Sequence, residues 1–216
     1  MKSNSRYLVA YNFLSTLSWS FLLLRTLHHF LSASPKFTTT YIAVGPIVAY
    51  VQTTAVLEVV HVLLGLVRSP IPTTAMQVSS RLFLVWAITE QFKASQDHAL
   101  YGTMILAWSI TEVIRYTFYT FSLLGSEPPR LLTYLRYTTF YVLYPLGAGS
   151  EAFLILASIP KELWFGKGTM SVWVFVRMAA FILWWPGLYV MYMHMMYQRR
   201  KVLGEGKSAK YDAKVQ

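Results

Sequence analysis

Six stretches of mainly apolar residues, each close to the ~20 that a helix needs to cross a bilayer, constrain this chain more than any other feature. They cover residues 7–24, 41–67, 76–92, 99–124, 131–157 and 172–197. Turn chemistry separates them: Ser-Ala-Ser-Pro at 32–35, Arg-Ser-Pro-Ile-Pro at 68–72, Ser-Glu-Pro-Pro at 126–129 and the stretch from Pro160 to Gly168. The pattern predicts an all-α polytopic membrane protein, a six-transmembrane-helix bundle, with neither an internal repeat nor a separate soluble domain. The first stretch is too long, and lacks a clear small-x-small exit, for a cleaved signal peptide.

Composition agrees where it bears on this. Charged residues make up 13% of the chain, against about 25% in soluble domains. Seven Trp, 15 Tyr and 13 Phe suit a protein whose amphipathic rings sit at two membrane interfaces. With no cysteine, the sequence excludes disulfides, thiolate metal sites and every cysteine-nucleophile enzyme. The net charge of +10 would suggest nucleic acid in a soluble protein, but six of the 19 basic residues follow Tyr197, namely Arg199, Arg200, Lys201, Lys207, Lys210 and Lys214. A basic segment directly after an apolar span marks a cytoplasmic flank drawn to anionic lipid. Membrane lipid is therefore the expected partner, and no nucleic acid is expected, because no soluble domain remains to present the charge. Six spans put both termini on one side. Apart from the tail, that side carries Lys2, Arg6, Arg68 and Arg130, against Arg25, Lys36, Lys93, Lys161 and Lys167 opposite. The tail alone thus carries the expectation that both ends are cytosolic.

Ionisable groups at membrane depth cost about 2.5 kcal/mol or more each on insertion scales, so each needs a partner or a task. Glu112 and Arg115, three apart, share a helix face: a self-neutralising pair, or a pair that orients a catalytic or substrate group. Glu58 and His61 have the same spacing near the end of the second stretch, where a solvated interfacial pair is the plainer reading. They make a poor metal site, since no third ligand stands at ligand spacing. Arg81 and Glu90, nine apart, need different partners, and both Arg81 and Arg177 are expected to snorkel to the interface. His28 and His29 are expected in a solvated loop beside Arg25.

The fifth stretch combines a phenol, a helix breaker, two glycines and a carboxylate: Tyr144, Pro145, Gly147, Gly149 and Glu151. Tyr144 and Glu151 lie two turns apart on one face, ~10.5 Å along the axis. Pro145 frees the carbonyl of Tyr141, which is tolerated at this depth where protein or a water-lined cavity re-satisfies it. Gly147 and Gly149 allow a helix or ligand to come close to the backbone. Two readings stay open: a kinked packing helix, or an apolar site with a base and a donor. Elimination of water from a 3-hydroxyacyl thioester would use the second. Desolvation strengthens a carboxylate as a base, and a neutral phenol donates to a leaving oxygen or a developing enolate. Such chemistry calls for no metal and no redox cofactor.

Four longer motifs occur in order: Gln52 through Pro70, containing Glu58, His61 and Arg68; Ser80-Arg81; Trp108 through Tyr119, containing Glu112 and Arg115; and Arg136 through Glu151. On them the chain resembles the very-long-chain 3-hydroxyacyl-CoA dehydratases, also called protein-tyrosine-phosphatase-like membrane proteins, from Tyr7 to Met196. The resemblance implies a six-helix enzyme of the endoplasmic reticulum membrane that converts (3R)-3-hydroxyacyl-CoA to trans-2-enoyl-CoA in fatty-acid elongation. It also implies contacts with other elongation enzymes. Its catalytic tyrosine and glutamate fall on Tyr144 and Glu151, with either as base and the other as acid. Glu112, Arg115, Glu58 and His61 would support them, and Arg130 and Arg136, by position, would meet the CoA phosphates. "Phosphatase-like" carries no activity here, because there is no cysteine nucleophile. The tail, with Asp212-Ala-Lys214-Val-Gln216 at its end, shows no dilysine-type retrieval signal, so residence in the endoplasmic reticulum rests on the likeness. The chain thus divides into a six-helix transmembrane dehydratase domain over 1–198 and a basic, disordered cytosolic tail over 199–216. A non-enzymatic scaffold for elongation enzymes is the alternative; a transporter is disfavoured by the lack of paired broken helices in corresponding halves.

Overall fold

The computed structural model describes residues 3–32, 37–160 and 170–204, which are helical with no strand among them. Backbone groups in lipid must be satisfied within their own segment, so the apolar stretches form helices: α1 (Ser3–Leu31), α2 (Thr40–Thr53), α3 (Val56–Leu63), α4 (Ile71–Leu82), the short α5 (Lys93–Gln96), α6 (Ala99–Leu123), α7 (Arg130–Arg136), α8 (Phe140–Ala157) and α9 (Val172–Arg199). A π-helical stretch, Phe83–Thr89, continues α4, and another, Arg200–Gly204, continues α9. Four helical rods, Ser5–Leu31, Phe37–Leu63, Phe140–Ala157 and Val172–Gly204, are long and apolar enough to cross a membrane. The other two expected crossings correspond to α4 with its π turn and to α6, the rods that carry Arg81, Glu112 and Arg115. The expected disordered tail lies outside the described residues from 205 onward, while Arg199 to Gly204 continue the last helix.

Helix α6 is the axis of the bundle. It packs mainly against α1 and α8, and α8 in turn carries α9. Trp19 and Leu22 of α1, Val48 of α2, Leu84 of the π turn, Met104 and Ile105 of α6 and Leu154 of α8 form the buried centre. Lipid tails are as apolar as these side chains, so close packing and polar contacts hold the helices together more than the hydrophobic effect does. Gly102 makes one such close approach. A Cβ there would lie 2.8 Å from Phe30 Cζ and 2.9 Å from Thr40 Oγ1. Helix α9 is the opposite case, exposing Val172, Phe175, Ile182, Leu183, Val190 and Met193 to the surroundings.

Several expected boundaries shift. Arg25 does not end the first helix, because its Nε donates to the Ala43 carbonyl of α2 at 2.9 Å and the helix continues past it. His28 and His29 therefore lie in the last turn of α1 and not in a loop, and His29 Nε2 lies 3.2 Å from Thr39 Oγ1. The second stretch is overwound at its middle: Ala55 bonds Gln52, Leu57 bonds Thr54 and Glu58 bonds Ala55, each three residues back. That tightening resets the helix face on which Glu58 and His61 emerge. The fifth stretch is interrupted in the same way over Tyr137–Thr139, where Thr138 bonds Leu135 and Tyr141 bonds Thr138. Neither break contains Gly or Pro. Conversely, Pro145 and Pro186 lie inside unbroken helices.

The packing at Gly102 has a measurable consequence. Gly102→Val should cost about 1–3 kcal/mol by overpacking and visibly lower the unfolding temperature in detergent. Gly149→Ala should not, since nothing lies within 4 Å of its added Cβ. Equal melting curves for the two variants would contradict the close approach.

Candidate active site

Glu151 sits in the middle of α8, half-buried, and both its oxygens are held by indoles. Trp108 of α6 donates Nε1–H to Oε1 at 2.6 Å, and Trp184 of α9 donates to Oε2 at 3.1 Å. Indole nitrogen donates only, so the carboxylate enters the arrangement purely as an acceptor, with lone pairs to spare on each oxygen. Trp108 is 3% exposed and fixed in the core, in edge contact with Trp19 of α1 at 6.5 Å between ring centroids. Gly147 lets α8 approach it: a Cβ there would lie 3.5 Å from Ala107 Cβ and 3.9 Å from Trp108 Cδ1. The two glycines expected to serve close approach therefore divide the task, Gly147 facing α6 and Gly149 facing open space.

Tyr144 precedes Glu151 by two turns on the same unbroken helix. Its phenol is half-buried, lies within electrostatic range of the Glu151 carboxylate and the Arg81 guanidinium, and has no hydrogen-bond partner among the described residues. A neutral donor near a carboxylate, with its hydroxyl uncommitted, can serve a substrate oxygen.

Behind these residues runs an alternating chain of charges. Glu112, 2% exposed, accepts from Arg81 on one oxygen and from Arg115 Nε at 2.6 Å on the other. Arg115 in turn grips Glu58 in a two-pronged pair, Nη1 to Oε2 at 2.9 Å and Nη2 to Oε1 at 2.6 Å, and Tyr116 also donates to Glu58. Such forked pairing is the strongest geometry for an arginine. The row joins α3, α4 and α6 and sums to zero charge. Its Arg81 end lies over the Trp108 ring, 4.9 Å from the centroid, so the network touches the indole that holds Glu151.

Several expectations are corrected by this. Arg81 does not snorkel, because a buried carboxylate from α6 offers it a better partner than the interface. Glu58 and His61 do not form a solvated pair: Glu58 belongs to Arg115, while His61, 3% exposed, meets the Tyr7 hydroxyl at 2.9 Å through Nε2 and lies edge-on to Tyr7 and Tyr11. Glu112 and Arg115 do pair within their own helix, as their spacing indicates, but each also reaches another helix. Arg177 is buried too. It donates to the Trp173 and Ser158 carbonyls, the latter just past the end of α8, and lies 4.1 Å from the Phe92 ring centroid. Orphan carbonyls at a helix end explain why it stays inside. Arg130 and Arg136 stand at the two ends of α7, away from Glu151, with Arg130 exposed and Arg136 half-buried against Tyr119. Trp108 and Trp184 were not among the expected site residues, since in a Trp-rich membrane chain an indole carries no local signal separating site from interface.

The family model described as protein tyrosine phosphatase-like protein, PTPLA, matches residues 52–205. The chain is 41% identical to a very-long-chain (3R)-3-hydroxyacyl-CoA dehydratase of Caenorhabditis elegans, over 94% of this chain and 97% of that protein. It is 41% identical to a probable very-long-chain (3R)-3-hydroxyacyl-CoA dehydratase of Schizosaccharomyces pombe, over 91% and 92%. Identity to the very-long-chain (3R)-3-hydroxyacyl-CoA dehydratase 2 of Homo sapiens is 35%, over 94% and 83%. No solved structure matches it. The matched stretch of the family model begins at Gln52 and includes the ionic row, both indoles, Tyr144 and Glu151, and with it the chain belongs to the protein tyrosine phosphatase-like (PTPLA) family.

Proposed function

We propose that this protein is a (3R)-3-hydroxyacyl-CoA dehydratase of the fatty-acid elongation cycle, with Glu151 as base and Tyr144 as proton donor. The activity follows the printed names of relatives that align with nearly the whole chain. The assignment of roles rests on one observation: both oxygens of Glu151 accept from groups that can only donate. Glu151 removes the proton at C2 of the substrate, and the C–H electrons form the C2–C3 double bond. The C3–O bond breaks, and the departing hydroxyl takes the Tyr144 proton and leaves as water. Transfer of the proton from Glu151 back to the Tyr144 phenolate restores both groups. Neither indole exchanges a proton; Trp108 and Trp184 orient the base. Arg81, near Tyr144 and Glu151 and fixed by Glu112, supplies positive charge beside the enolate that develops.

The same reading takes six membrane crossings, with α4 and its π turn and α6 joining the four apolar rods, residence in the endoplasmic reticulum and both termini in the cytosol. Glu58, Arg115 and Glu112 close their charges on one another, which is what lets those two rods enter lipid. A donor at Tyr144 suits a substrate arriving from the side of the termini: measured from the start of α8, Tyr144 is only ~6 Å along the axis and Glu151 ~17 Å. Counted over an unbroken fifth span, Tyr144 would be ~20 Å deep. The break over Tyr137–Thr139 removes that difficulty.

The test is turnover of a long-chain 3-hydroxyacyl-CoA to the enoyl-CoA by the purified protein in detergent, followed by mass spectrometry. Tyr144→Phe and Glu151→Gln should each lower kcat by about 10²-fold or more, the range of a lost general acid or base. A folded wild type without turnover would instead favour a scaffold, and equal turnover in all three would move the site elsewhere. Trp184→Phe keeps the ring but removes one charge-assisted hydrogen bond, and should cost roughly tenfold in kcat with little change in KM; a change in KM alone would assign that indole to substrate binding. Tags on both termini should be protease-accessible in intact microsomes, and protection of either would overturn the proposed topology.

A further inference from the structure

We propose that a cationic cavity at the end of the bundle holds the phosphorylated adenosine end of the acyl-CoA, an inference that rests on the dehydratase reading above. The cavity, of about 310 Å³, lies where the last turns of α6, the end of α7 and the end of α9 meet; Phe118, Tyr119, Arg136, Tyr137, Gln198 and Lys201 line it. That volume is at the lower end of the ~300–1,000 Å³ of small-molecule sites, so it fits one end of a large ligand and not the whole.

Among the described residues its charge has no acidic counterpart. Arg136 donates to the Tyr119 hydroxyl at 3.2 Å and lies 5.5 Å from that ring's centroid, a neutral partner on both counts. Arg199, in the last turn of α9, lies 5.3 Å from the Tyr141 ring centroid and leaves its buried Nε without a hydrogen bond. Among the described residues no carboxylate pairs with Arg136, Arg199 or Lys201, whereas Arg81 and Arg115 deeper in the bundle are fully matched. Basic residues in the last turn of a helix complement its dipole, and this explains where Arg136 and Arg199 sit. It does not explain the cavity that Arg136 and Lys201 line, nor its aromatic walls. Phe118 and Tyr137 meet edge to face at 6.2 Å between centroids, and Tyr119 adds a third ring. Arginines and a lysine around aromatic faces are the means by which phosphates are neutralised and a base is stacked.

Direction supports the assignment. Arg136 precedes Tyr144 by eight residues and Glu151 by 15, so the cavity, the phenol and the carboxylate follow one another along the chain from the end of α7 into α8. Arg199 sits against Tyr141, which in sequence stands between Tyr137 of the cavity and Tyr144. A CoA with its adenosine in the cavity would run its pantetheine arm past Tyr141 and deliver the thioester to Tyr144 and Glu151, leaving the acyl chain to the apolar interior. Arg136 of the two expected phosphate contacts thus belongs to this cavity. Arg130 does not line it, and Lys201 takes its place, with Arg199 nearby on α9 against Tyr141.

The full-length protein in detergent, titrated with adenosine 3′,5′-bisphosphate, tests this without turnover. The wild type should bind it, and the exposed Lys201→Gln and the half-buried Arg136→Ala should each weaken binding about tenfold or more, with unfolding temperatures recorded for both. In turnover, the ratio of kcat/KM for a CoA thioester to that for the matching pantetheine thioester should fall by a similar factor in both variants. Nucleotide binding lost in the variants upholds the cavity even if the chain turns nothing over, which separates its fate from that of the dehydratase reading. A wild type that binds no nucleotide, a Lys201→Gln protein that binds it unchanged, or equal displacement of it by inorganic phosphate at the same concentration would overturn the proposal.

Discussion

Glu112 is the residue that the rest of the bundle is arranged around. An isolated carboxylate buried in apolar surroundings is among the costliest groups a protein can hold, and this one is 2% exposed. It is tolerated because Arg81 and Arg115 approach it from opposite sides, and because Arg115 is itself closed off by Glu58. None of these four charges could be left alone at this depth, so α3, α4 and α6 are bound to one another by necessity. Within lipid, where apolar contact between helices gains little over contact with acyl chains, such a row fixes which helices are neighbours. Its desolvation cost means that it specifies the arrangement more than it adds stability.

The site is built on the outcome of that arrangement. Arg81, held by Glu112, lies over Trp108, and Trp108 holds Glu151. Gly147 brings α8 close enough to α6 for the bond to form. On the far side Glu151 is bonded to Trp184 of α9, the helix with most of its apolar surface turned outward. One oxygen of Glu151 is therefore referred to the core of the bundle and the other to its outward-facing edge. An acyl chain must come from an apolar phase while its thioester is attached to a water-soluble nucleotide, and a base suspended between the core and the lipid edge suits a substrate with those two ends.

Much of this was legible in the sequence, but by different signals. Apolar length located the long rods, and the i,i+3 spacing of Glu112 and Arg115 located a pair that does form. Tyr144 and Glu151 stood out because a phenol, a proline, glycines and a carboxylate rarely share an apolar run. What the sequence could not show depends on contacts between distant segments. Arg81 and Glu112 are 31 residues apart, so the natural one-helix reading sent Arg81 to the interface. Arg177 was misread for the same reason, since its partners are carbonyls at the end of another helix. The overwound turns at 54–58 and 137–142 carry threonines and no Gly or Pro, and Pro145, read as a helix breaker, is inside a continuous helix, as is Pro186. Punctuation by Gly and Pro is a rule for water-exposed chains, and it weakens where neighbouring helices re-satisfy the backbone.

On the proposed reading, the break before α8 also links the basic end of the chain to the chemistry. Had the fifth stretch been one straight helix from Leu131, Arg136 and Tyr144 would belong to a single long crossing, with the Tyr144 phenol far from any aqueous charge. Ending α7 at Arg136 and starting α8 at Phe140 instead sets a short basic helix beside the entrance to α8. The end of α9 returns Arg199 and Lys201 to the same place. Among the described residues, Arg136, Arg199 and Lys201 at this end have no carboxylate, while in the interior Arg81 and Arg115 have carboxylates and Arg177 has helix-end carbonyls. This division follows from the solvent: a charge near water can wait for a mobile anion, whereas a charge in lipid must bring its partner with it.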